Sequence, residues 1–299
     1  MAFFQTPPEL GNQYDDDRVM RFALDRYAGP DVARALAPEL REMGALAVGR
    51  LAELGNEAER DLPRHVPFDA YGRRIDRVDI SPAWTECLRV AAERGVVGSA
   101  YETTYGDRAR LHQWALLHLF APSTATALCP LAMTDGVART LLVHADEALA
   151  KRVAGHLTSR DRGHAWTAGQ WMTEREGGSD VGRTATRAVL GTDGTWRLSG
   201  TKWFTSAVTA DCALLLARPD PPGEPGSRPL ALFYVEVTPQ VGRTDGAKST
   251  IRVNRLKDKL GTKALPTAEL ELDDCVATLV GETTGGVRRI TTLLNIARF

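Results

Sequence analysis

The sequence is poor in the features that mark stapled, membrane-spanning or phosphate-coating proteins. Cysteine occurs four times in 299 residues, at Cys87, Cys129, Cys212 and Cys275, with no CxxC pair. Neither a zinc knuckle nor a disulfide framework is therefore indicated, and a reducing, cytoplasmic setting is expected. The opening MAFFQTPPEL has no basic segment and no long apolar run, so no signal peptide is expected. No apolar stretch approaches the roughly 18 residues needed to span a bilayer, and no membrane partner is expected. A basic excess is also missing, with 37 Lys plus Arg against 38 Asp plus Glu and a formal net charge of -1. That balance argues against a chain whose main task is to neutralise phosphates. Only six of the 37 basic residues are lysine, a compositional habit to which we give no functional weight. There is no HExxH, no GxGxxG opening a helix after a strand, and no clustering of the six histidines. Gly242 to Ser249 (GRTDGAKS) has its glycine and lysine at the wrong spacing for a phosphate loop and reads as an ordinary loop.

What remains is 43% hydrophobic and 25% charged, enough for about two domains with real cores. Residues 1–30, rich in Pro, Asp and Gly, read as an arm with one short helix over Arg18 to Tyr27. Asp31 to Arg60 is Ala- and Leu-rich and predicts helix, after which Pro63, Pro67 and the Tyr71-Gly72 turn predict a break. Ser81 followed by Pro82 predicts a helix start before Trp84, Leu88 and Ala91. Leu111, Trp114, Ala115 and His118 are spaced as one buried helical stripe, and Ala125 to Ala154 continues helical with Pro130 as a break.

After about Thr167 the texture changes to short β-type runs: Trp196 to Ser199, Ala213 to Ala217, Leu230 to Val237, Ile251 to Val253 and Ala268 to Leu272. Ala213 to Ala217 reads as a strand covered on both faces, and Glu269 and Glu271 are expected to face solvent. Gly285 to Phe299 returns to helical spacing through Val287, Ile290, Leu293, Leu294 and Ala297. The expected fold class is α+β: an N-terminal helical domain, then an antiparallel β-domain, ending at the start of a C-terminal helical domain. The expected boundaries are an arm at 1–30, a helical domain at 31–166, a β-domain at 167–282 and the beginning of a further helical domain at 283–299.

Two segments carry chemistry. In Gln170 to Gly182 (QWMTEREGGSDVG), Thr173 and Ser179 offer hydroxyls, while Gly177 and Gly178 let backbone amides approach an anion. Taken alone, GGSD is more often a solvated turn. In Leu198 to Ser206 (LSGTKWFTS), the Trp203-Phe204 pair stands beside Thr205 and Ser206, a combination suited to a flat redox-active ring. A single strand aromatic is more commonly a core residue.

Together, MTEREGGSD (Met172 to Asp180), GTKWFTS (Gly200 to Ser206) and KDKLGTKALPT (Lys257 to Thr267) resemble the acyl-CoA dehydrogenase family of flavoproteins. EREGGSDV, RLKDKLG and FDAYGRRIDRVDISPAW (Phe68 to Trp84) resemble its adaptive-response, AidB-type branch. The resemblance implies FAD as cofactor, held by Gln170, Trp171, Met172, Thr173, Gly178, Ser179, Phe204, Thr205 and Ser206. Met172 and Thr173 would address the pyrimidine edge, Ser179 the pyrophosphate and Ser206 the N5 region, with Phe204 covering a ring face. Lys263 stands where the family usually carries arginine, which bears on substrate geometry.

The family reaction uses a carboxylate base from the C-terminal helical domain, so no catalytic residue is assigned and the base is expected beyond Phe299. Glu174 is expected to be a structural hydrogen-bond or ion-pair partner instead. The expected function is α,β-dehydrogenation of an acyl-CoA thioester. The alternatives are a DNA-associated flavoprotein of the alkylation response, with its DNA surface in the further helical domain, and an inactive fragment. The cluster Arg252, Arg255, Lys257, Lys259 and Lys263 reads as a solvated loop, and the family implies a homotetramer.

Overall fold

The structure is a computed structural model and describes residues 4–221, 226–238, 240–241 and 249–298. The sequence-predicted loop at 242–248 lies outside the described residues. Asn12 and Asp17 cap the first two helices, α1 (Gln13–Asp16) and α2 (Arg18–Tyr27), by accepting backbone N–H bonds. Helix α3 (Pro30–Val48) buries Leu36, Leu40, Met43 and Ala47, spaced four and three apart. The single helix expected over 31–60 is broken at Gly49 (φ -104°, ψ -108°), where α4 (Arg50–Ala58) begins. The segment expected only as a break holds a hairpin of β1 (Arg64–Phe68) and β2 (Arg74–Asp79). Helix α5 (Pro82–Glu93) starts where the sequence predicts it: Ser81 Oγ accepts the Ala83 N–H at 3.2 Å, and Pro82 takes the first turn.

The next helix, α6 (Ala109–Phe120), is rotated from the expected stripe. It buries His112, Gln113, Ala115, Leu116, Leu119 and Phe120, whereas Trp114 and His118 are exposed. Two polar residues take the inner face because partners wait there: His112 Nε2 lies 2.8 Å from Glu39, and Gln113 donates to Asp135 at 2.8 Å. Pro130 does not break α7 (Leu128–His144). It sits in the first turn, where a missing N–H costs no helical bond. Asp146 caps α8 (Glu147–Leu157), the last helix before the β-region.

The β-region contains β3 (Ala168–Trp171), β4 (Arg187–Leu190), β5 (Trp196–Ser206), β6 (Cys212–Pro219), β7 (Ala231–Glu236), β8 (Ile251–Leu256) and β9 (Thr267–Val280). Strands β6, β4, β5, β9 and β7 pair in a closed ring, with β3 beside β6 and β8 beside β9. Most pairings are antiparallel, as expected, but β6 pairs in parallel with both β3 and β4. The burial of β6 explains how it holds this position. Ala213, Leu215 and Ala217 face the core inside the β-region, while Cys212, Leu214 and Leu216 pack with Val137, Leu141 and Ile290 of the helices.

The last helix, α9 (Gly286–Ala297), buries Ile290 and Leu293 against α7. A Cβ on Gly136 would meet Leu293 at 2.6 Å, and one on Gly286 would meet the Ala231 carbonyl carbon at 2.5 Å. Both close approaches need glycine. Glu269 departs from expectation: β8 lies alongside it, Arg255 pairs with it at 2.5 Å, and it is buried, while Glu271 is half-buried. No helix among the described residues is long and apolar enough to cross a membrane.

Candidate functional site

The two chemistry-bearing segments lie side by side. The Trp203 N–H donates to the Thr173 carbonyl at 2.8 Å, bonding the residues that follow β3 to the end of β5. Strand alternation then sorts the side chains. Trp171 turns inward, and its indole is 1% exposed within the β-core, with Nε1 lacking a hydrogen-bond partner. Gln170 and Met172 take the other face, with Gln170 Nε2 2.8 Å from Met172 Sδ. Thr173, Gly178 and Ser179 are exposed, and Met172, Phe204 and Ser206 are half-buried.

The loop after Thr173 is built by its own bonds. Glu174 and Gly177 exchange backbone hydrogen bonds of 3.3 and 3.4 Å, so the Gly177 amide is already engaged. Gly178 is open: a Cβ there would meet nothing within 4 Å. Arg218, which no motif singles out, braces the loop by donating to the Gly182 carbonyl at 3.0 Å and the Thr184 carbonyl at 3.3 Å.

Beneath the loop lies a sealed ion pair. Lys202 is fully buried, and its Nζ donates to Glu174 Oε1 at 2.6 Å and to the Leu216 carbonyl at 2.8 Å. Glu174 is 4% exposed and also accepts the Ala185 N–H at 2.6 Å and the Thr186 hydroxyl at 2.5 Å. Burial resists ionisation of Glu174, but the Lys202 ammonium and these hydrogen bonds outweigh it and hold the carboxyl below its ordinary range. Burial draws the Lys202 ammonium down from its ordinary value, with Glu174 opposing. The structural role expected for Glu174 is the one observed.

Immediately after Lys202, β5 bulges against β9, and Phe204 adopts a left-handed backbone with φ 50°. Such a conformation strains a bulky residue and clusters at functional sites. The bulge leaves Thr205 Oγ1 buried without a hydrogen-bond partner. Trp203 has the Arg175 and Arg255 guanidiniums 5.8 and 5.9 Å from its ring, and Lys257 Nζ stands 4.0 Å from the Phe204 ring centre. The basic cluster expected as a solvated loop is largely engaged. Arg252 pairs with Asp273, Arg255 with Glu269, and Lys259 donates to the Thr262 and Leu265 carbonyls.

A cavity of about 960 Å³ opens among α4, α6, α7 and the end of α9. Leu117, Leu128, Leu131, Met133 and Ile296 give it an apolar wall, and Gln170 is the member of the expected flavin set that lines it. Its polar corner is Asp135, which accepts from Tyr101 Oη at 2.6 Å, Arg110 Nη1 at 2.5 Å and Gln113 Nε2 at 2.8 Å. Sequence reasoning missed this network, although an aspartate inside the apolar run of α7 was a usable signal.

The joined segments fit the flavin dinucleotide implied by the resemblance. The unpartnered Thr205 hydroxyl, the open Gly178 edge, the exposed Thr173 and Ser179 hydroxyls and the aromatic pair form a suitable donor set for a flat ring carrying a phosphate tail. No group of three or more metal-ligating side chains occurs among the described residues.

Residues 5–163 match the adaptive response protein AidB N-terminal domain, and residues 169–275 match the acyl-CoA dehydrogenase middle domain. The chain therefore belongs to the acyl-CoA dehydrogenase family, in its AidB-type branch. It is 41% identical over 305 residues to acyl-CoA dehydrogenase family member 11 of Caenorhabditis elegans, covering 99% of this chain and 49% of that protein. To the putative acyl-CoA dehydrogenase AidB of Escherichia coli (strain K12) it is 32% identical over 309 residues, covering 99% and 54%. The crystal structure of Caenorhabditis elegans ACDH-11 in complex with C11-CoA superposes with a TM-score of 0.92 at 41% identity, covering 99% of this chain and 51% of that one. The chain thus spans about half the length of these relatives.

Proposed function

We propose that the protein is an FAD-dependent acyl-CoA dehydrogenase-type oxidoreductase acting on the α,β-carbons of an acyl-CoA thioester. The observation that carries this reading is the Trp203–Thr173 bond, which joins the two family segments next to a cavity that Gln170 lines. The C11-CoA complex of the ACDH-11 relative supports the same substrate class.

Bound FAD would supply the hydride acceptor. The chain's own residues hold and orient it: the Thr173 and Met172 segment at the pyrimidine edge, Ser179 at the pyrophosphate, Thr205 and Ser206 near N5, and Phe204 against a ring face. Trp171 contributes main chain, Gly178 gives backbone access, and Gln170 stands between flavin and acyl cavity. The apolar cavity wall would hold the acyl chain away from water. Glu174 and Asp135 are not assigned the α-proton, since each carboxylate is already bonded to a cation and to further donors.

The reading keeps the division into an arm at 1–30, a helical domain at 31–166, a β-domain at 167–282 and further helix from 283. Four free thiols support a cytoplasmic setting, and the resemblance supports a homotetramer. Pairing of Arg252 with Asp273 and Arg255 with Glu269, and the Lys259 bonds to backbone carbonyls, weigh against DNA binding by this part of the molecule.

The test is visible spectroscopy, with added acyl-CoA, of a purified protein that carries the further helical domain together with these residues. Flavin absorbance that bleaches is the expected result. Flavin that stays oxidised overturns the dehydrogenase reading, and a protein without flavin overturns the cofactor.

A further inference from the structure

We propose that Lys202 and Glu174 are positioning residues for the cofactor: one sealed ion pair sets the Met172–Thr173 segment against the Trp203–Ser206 segment. This rests on the flavin reading above and extends it to two residues that do not line the cavity and whose charged groups are engaged by each other and by neighbouring chain.

Glu174 follows Thr173 directly, and Lys202 directly precedes Trp203, so their 2.6 Å contact clamps both segments one residue from the Trp203–Thr173 backbone bond. Each end of the clamp is tied to a different strand environment. Glu174 takes the Ala185 and Thr186 amides at the entry to β4, while Lys202 takes the Leu216 carbonyl of β6. The pair therefore fixes four stretches of chain at one point. Beyond that point the β5 bulge has a firm origin, and it is the bulge that turns Phe204 left-handed and leaves Thr205 Oγ1 unpartnered.

An apolar strand contact would hold the sheet equally well, since buried ion pairs are commonly replaceable by apolar residues of similar volume without loss of stability. What such a replacement lacks is directionality. Hydrogen bonds from a carboxylate and an ammonium define position and orientation, and the segments that emerge from the pair are those expected to meet the flavin.

The distinguishing protein is the double variant Lys202→Met with Glu174→Leu. It is compared with wild type by thermal unfolding without flavin, by FAD titration through quenching of flavin fluorescence, and by hydrogen exchange at the Trp203 amide. The double variant is expected to unfold close to the wild-type temperature, to bind FAD about tenfold more weakly, to exchange the Trp203 amide faster, and to lose resolved structure in the bound-flavin spectrum. A folded double variant with wild-type FAD affinity and wild-type Trp203 exchange overturns the proposal. Should the double variant not fold, Thr186→Val removes one bond to Glu174 while keeping both charges. The same two readouts are then expected to move by a smaller amount, and unchanged readouts overturn the proposal. Wild-type protein that takes up no FAD overturns the flavin reading, leaving Trp203 exchange to decide whether the pair joins the two segments.

Discussion

The helical region and the β-region bury charge in opposite ways. In the helices, Asp135 meets Arg110, whose side chain remains 27% exposed, so the pair opens toward solvent beside the cavity. In the β-region, Lys202 and Glu174 are 0% and 4% exposed, and neither ion reaches water. The first arrangement tolerates loss of Arg110 better, because Asp135 lines the cavity and keeps Tyr101 and Gln113 as donors. The second does not, because a freed group stays in a low-dielectric interior. Apolar packing dominates the helical core, whereas the β-core adds a sealed ion pair next to the residues expected to meet the cofactor.

The two regions differ most at Lys202. Lys202→Met leaves Glu174 buried and unpaired, and equilibrium unfolding in denaturant is expected to show a loss of about 3–5 kcal/mol. Leu40→Ala in the helical core removes packing alone and is expected to cost about 2–4 kcal/mol by the same measurement. Arg110→Ala, which strips one of three donors from Asp135 at a site open to water, is expected to cost about 1–2 kcal/mol. An Arg110 effect as large as that of Lys202 would erase the distinction between the two regions.

A pH series sharpens the contrast. The Glu174 carboxyl is held below its ordinary value of 4.5 by Lys202 and its hydrogen bonds, after burial has worked against them. Its contribution to wild-type stability is therefore present above about pH 4.5 and fades as pH falls through the lower folded value. In Lys202→Met, burial acts without the ammonium and the folded value rises, so the sign reverses. The variant's deficit is expected to shrink on acidification from pH 7 toward 5, measured as the difference in unfolding free energy from wild type.

Much of the fold was legible in local pattern. Ser81-Pro82 marked a helix start that its hydrogen bond explains, and the all-apolar Ala213 to Ala217 run marked a strand with both faces covered. Errors arose where long-range partners decide. The α6 stripe was misplaced because Glu39 and Asp135 draw His112 and Gln113 inward, and Glu269 is buried by a strand that pairs across the sheet. At the site, the hydroxyls and aromatics could be seen as residue types. The inward turn of Trp171, the Arg218 brace and the Lys202 partner of Glu174 could not, since each depends on strands distant in sequence. Trp171 was the most recoverable of these, because period two from Ala168 and Gln170 already separates its face from theirs.

If the joined segments form the flavin site, Thr205 is the residue to change, because its hydroxyl is buried with no partner in the protein. Titration of FAD into wild type and Thr205→Val, followed by flavin fluorescence, is predicted to show saturable binding by wild type and a loss of about tenfold in the variant, near the upper end for one hydrogen bond. Equal affinity in the two proteins, or no binding by either, would mean that the joined segments do not hold the flavin through Thr205.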